Sequence, residues 1–161
     1  MSTFVSIPLR VNGQKIEAGW FNALRSAGVD SASASGQWTK YTFTHTQLQA
    51  AALTNTVEIA SLPAKTIIES VLVKHSTLFT GTSITDYKVT VGITGELDRY
   101  VGSVDVDVAV SDSAFAFVNL AEMPSFSSTT SLKLTATTVG ANLSSSTAGS
   151  VDVWVKTSTL P

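Results

Sequence analysis

The run Val104-Asp105-Val106-Asp107-Val108 sets two carboxylates two residues apart, with Glu96 and Asp98 upstream and Asp112 downstream. On an extended strand residues i and i+2 share a side, so Asp105 and Asp107 are expected on one face. Paired carboxylates can hold calcium or perform acid–base work on a glycoside. The same alternation is also what a strand with a wet outer face produces, and no glycine-hinged Asp loop accompanies it. The two histidines, His45 and His75, are read as closing the first and third strands of the main domain. Zinc needs three or four convergent ligands, and paired histidines one residue apart are missing, since His45 sits between Thr44 and Thr46. There is no G-x-S-x-G nucleophile elbow and no Gly-rich phosphate loop opening a helix. With no cysteine, thiolate chemistry, thiolate metal sites and disulfides are excluded. The residues point away from an enzyme and imply no cofactor, no metal and no catalytic residue. Asn142-Leu143-Ser144 matches a glycosylation sequon and is read as a coincidence in a Ser-rich loop.

Chemistry of another kind remains: surface recognition. Trp38, Tyr100 and Trp154 are the aromatics that could form a sugar-stacking platform, with structural packing as the competing role. Of 161 residues, 43% are hydrophobic and only 14% charged, and the formal net charge is −2. Serine and threonine fill the gap with 22 residues each. Threonine is β-branched and suits a half-buried pleated surface, so this surplus favours strands. No Lys/Arg cluster exists to neutralise phosphates, so nucleic acid is not expected as a partner. The opening MSTFVSIPLR lacks a basic n-region and an apolar h-region, and no run approaches the ~20 apolar residues of a membrane helix. A soluble protein without a membrane partner is expected.

Three parts are expected along the chain. Residues 1–28 form a short arm: an extended segment, an Asn12-Gly13 hairpin signal, and a brief helix from Ala18 to Ala27 closed by Gly28. A helix of about ten residues is marginal alone, so Trp20, Phe21 and Leu24 need burial, either on the chain's own main domain or on a neighbouring subunit. Residues 29–36 (VDSASASG) read as a flexible linker. Residues 37–161 show strand period at 39–45, 56–60, 66–75, 86–94, 101–110, 114–118, 131–139 and 150–157. Tyr87, Val89, Val91 and Ile93 share one face, as do Val151, Val153 and Val155, and residues 101–110 alternate through Val104, Val106, Val108 and Val110. The fold class implied is all-β: an eight-stranded antiparallel β-sandwich, of which the jelly roll is the commonest form, with an immunoglobulin-like topology as the alternative. The Gly/Ser/Thr-rich stretches Ser76–Thr85 and Gly140–Gly149 read as its two longest loops. Edge strands show no obvious Lys or Pro protection, which favours self-association.

Three phrases add a resemblance. VNGQKIEAGWFNALRSAG resembles the opening segments of small bacteriophage particle proteins, where a "VNG … W-F-N-x-L" element precedes a fibre or accessory domain. LPAKTIIESVLVKHSTLFTG and GANLSSSTAGSVDVWV are similar to segments of short phage structural proteins of head-decoration, cement or fibre type. The resemblance implies a non-enzymatic virion structural protein, a capsid decoration or cement module assembled in the host bacterial cytoplasm. It implies docking on the major capsid protein or another virion protein through Trp20, Phe21, Asn22, Leu24 and Arg25, and a homo-oligomer of trimeric form, as such modules commonly adopt. A fibre, spike or neck/tail component recognising host glycans is the alternative. A cellular carbohydrate-binding domain is a third class.

Overall fold

The computed structural model describes residues 38–108 and 125–159 in full, and residues 37 and 113–117 by their backbone. The arm residues Trp20, Phe21, Asn22, Leu24 and Arg25, and Asp112, lie outside the described residues. The strands are β1 (Gln37–Thr44), β2 (Thr54–Leu62), β3 (Thr66–Gly81), β4 (Asp86–Ile93), β5 (Glu96–Asp105), β6 (Ser113–Phe117), β7 (Thr130–Val139) and β8 (Ser146–Thr159). Seven of these are described with their side chains and β6 by its pairing with β3. A one-turn helix α1 (His45–Leu48) follows β1, and a 3₁₀ turn (Leu143–Ser145) precedes β8.

The strands form two antiparallel sheets, ordered β1-β8-β3-β6 and β2-β7-β4-β5. Each sheet interleaves early and late strands, which is the double Greek-key order of a jelly roll rather than an immunoglobulin-like sandwich. Period-2 alternation explains the layering. Val71 and Val73 of β3, with Val151, Val153 and Val155 of β8, turn inward from the first sheet. Tyr87, Val89 and Val91 of β4, with Leu132, Leu134 and Ala136 of β7, meet them from the second. Leu48 of α1 and Leu143 of the 3₁₀ turn are fully buried and belong to the same core. The amide of Gln49 donates to the Ser146 carbonyl at 2.9 Å, and that of Asn55 donates to the Leu48 carbonyl at 3.2 Å. These bonds tie the short helix to β8 and β2.

The threonine surplus has a place in this scheme. On β2 and β7, Thr54 faces Thr137 and Thr56 faces Thr135, with hydroxyl oxygens 3.4 and 3.0 Å apart. Ser131 donates to the Glu58 carboxylate at 2.7 Å farther along the same pair. Cross-strand hydroxyl pairs of this kind stabilise a sheet face that carries little charge.

Three expectations require correction. The stretches taken as long loops are in part strand: β3 runs on to Gly81, β8 starts at Ser146, and the two pair with each other through Thr77–Ser150, Thr80–Ala148 and Gly81–Ser146. Register shifts between His75, Thr77, Thr80 and Gly81 mark this pairing as bulged, and bulges break the clean alternation that reveals a strand in sequence. The strand placed at 101–110 instead occupies Glu96–Asp105 and joins β4 through a turn at Gly95, whose φ of 93° suits glycine. The edges are also less bare than expected, because β5 carries Glu96, Asp98 and Arg99 and β1 carries Lys40.

Candidate functional site

The carboxylate pair dissolves first. β5 ends at Asp105, and the chain bends over 106–108. Val106 donates its amide to Tyr87 and accepts from the amide of Phe79, both at 2.9 Å, so it links the two sheets and is fully buried. Asp105 and Asp107 therefore do not share a strand face, and Val108 is exposed rather than inward. Asp105 lies 3.6 Å from Lys88, whose ammonium donates to Asp86 at 2.6 Å. The hydrogen bond to Asp86, reinforced by its charge, holds the Lys88 pKa above the ordinary lysine value. Among the described residues no group of three or more His, Cys, Asp or Glu converges as a metal centre would. This corner is an ion-pair cluster.

The histidines are also placed differently. His75 is not a strand end: β3 continues six residues beyond it, and its ring is fully buried with Nε2 3.2 Å from the Val108 carbonyl. It fastens the bend after β5 to the first sheet. His45 opens α1, where the chain leaves β1. Tyr100 is buried on β5 with Arg99 stacked 6.0 Å from its ring centre, and burial pushes its phenol pKa up. It belongs to the second sheet, away from the two tryptophans.

Trp38 and Trp154 do come together. β1 pairs with β8 so that Lys40 faces Trp154 and Trp38 faces Lys156, which makes the two indoles diagonal neighbours. β3 pairs on the other side of β8 with Leu72 opposite Trp154. The three apolar side chains line a shallow open groove of about 280 Å³ on the outer face of the first sheet. Trp38 is 44% exposed, an unusual posture for so large an apolar group on a sheet face.

Charged pairs frame the groove. Lys40 bridges to Asp152 at 2.8 Å, and the Thr42 hydroxyl donates to the same carboxylate at 2.6 Å. The Lys40 ammonium also stands 5.5 Å above the Trp154 ring, within cation–π range. Lys156 bridges to Glu69 at 2.7 Å. The floor is apolar and aromatic, and the exposed Lys74, opposite Asp152, joins the two ion pairs on the same sheet face. The groove itself offers apolar contact, with no nucleophile and no general acid–base pair among its lining residues. The sequence singled out both tryptophans; Leu72 was missed, because only the β3–β8 register brings it beside them.

No protein-family model matches the sequence, and a search of curated proteins finds no relative. Solved structures are more informative. The chain is similar to one in the structure described as the cyanophage Pam1 capsid asymmetric unit, with TM-score 0.56 and 20% identity over 100% of both chains. It is also similar to a chain in the capsid of Ralstonia phage GP4, with TM-score 0.52 and 18% identity over 79% of this chain and 87% of that one. What is shared is the fold. At these identities no residue role passes from one chain to the other.

Proposed function

We propose that this protein is a structural component of a bacteriophage particle, a decoration or cement module that binds the shell through residues 1–28 and stabilises it non-enzymatically. The observation that carries this reading is the end-to-end likeness to a chain of the Pam1 capsid unit, in which the jelly roll and the segment before it are spanned together. Three further features support it. The N-terminal VNG…WFN-x-L phrase resembles phage docking elements and supplies Trp20, Phe21, Asn22, Leu24 and Arg25 as contacts, with residues 29–36 as the tether to the sandwich. The described surface is rich in paired hydroxyls and poor in charge, which suits packing against neighbouring subunits. A trimer would present three arms at once, and repeated display on a lattice converts weak single contacts into avidity.

Copy number tests the proposal. Quantitative protein analysis and imaging of purified particles should find the chain on the head, in fixed proportion to the major capsid protein. A few copies confined to one vertex or to the tail would overturn it and favour a fibre, spike or neck component.

A further inference from the structure

We draw no further inference here: the strongest candidate, the uncharged apolar patch of Ala51, Ala52, Leu53 and Val139 at the α1 end of the sandwich, is an unpartnered surface, and nothing in the structure shows what covers it.

Discussion

The ring of Phe79 lies flat against the backbone of Gly149, so that a Cβ added at Gly149 would sit 2.3 Å from Phe79 Cδ1. Gly149 also has φ +138°, a conformation that L side chains rarely adopt. The aromatic ring covers a glycine in the bulged extension of β3 and β8 and packs at a tilt of 37° on Tyr87 of the opposite sheet, ring centres 4.5 Å apart. Gly149→Ala must therefore displace a core ring and strain the backbone, at an expected loss of about 2–3 kcal/mol. Phe79→Ala removes the ring and should cost about 3–5 kcal/mol. Because the alanine methyl can occupy the space the ring leaves, the double variant should lose less than the sum of the two. Urea unfolding of the three variants measures this, and strict additivity would show that the two residues do not act through each other.

Tyr87 is fully buried, and its hydroxyl has no hydrogen-bond partner among the described residues. Burial pushes its pKa well above the usual tyrosine value. The sign of the consequence is fixed: from the unfolded value near 10 upward, the unfolded chain releases a proton that the folded chain retains. Stability contributed by the neutral phenol is therefore complete below that pH and is lost above it, by about 1.4 kcal/mol per pH unit for this group. Tyr87→Phe should be neutral or stabilising by up to about 1 kcal/mol at pH 7, since it removes an unsatisfied hydroxyl. It should also flatten the alkaline limb of the stability curve; an unchanged limb would place that sensitivity elsewhere, with Tyr100 the first residue to examine.

The Phe79–Gly149 contact also illustrates where the sequence could not be read. Strands with an unbroken buried stripe, such as Tyr87-Val89-Val91 and Val151-Val153-Val155, are visible from residue type alone, because burial on one face imposes period 2. Residues 76–81 and 146–149 were hidden by their glycine, serine and threonine content. Their strand character comes from each other across the sheet, and bulges scramble the period. β5 was misplaced for a related reason. An edge strand needs a partner on one side only, so Glu96-Leu97-Asp98-Arg99 tolerates charge that a central strand would not. The Asp105–Asp107 alternation looked like a strand face, yet Val106 crosses between sheets. Trp38 and Trp154 were recognisable as candidates, but their convergence depends on β1 pairing with β8 over more than a hundred residues of chain.

Asp152 gathers two donors on the outer face of the first sheet, Lys40 at 2.8 Å and the Thr42 hydroxyl at 2.6 Å. Its side chain is only 14% exposed, whereas that of Lys40 is 43% exposed. Asp152→Ala removes both bonds from a largely covered carboxylate and should cost about 1–2 kcal/mol. Lys40→Ala severs only the half-screened ion pair and should cost less than about 1 kcal/mol, declining further in high salt. Thermal unfolding at two ionic strengths separates the contributions. Equal losses that respond equally to salt would mean that the Thr42 hydrogen bond adds nothing.

Removing residues 1–28 separates the two roles considered for the arm. The described core runs from Phe43 to Val155, draws on both sheets, and includes Leu48 and Leu143 with no exposure. A chain beginning at residue 29 should therefore remain folded, unfold cooperatively, and keep a melting temperature within a few degrees of the parent. Shell binding should be lost, because Trp20, Phe21 and Leu24 are the large apolar groups assigned to docking. Co-sedimentation with particles stripped of this protein reads the second property, and calorimetry the first. If Trp20 and Leu24 pack instead on this chain's own sandwich, the truncated protein exposes the surface they covered. Each buried side chain of that size is worth about 1.5–3 kcal/mol, so the melting temperature would fall steeply. A stable truncated sandwich that still binds particles would remove the arm from docking and move the contact to the sandwich surface.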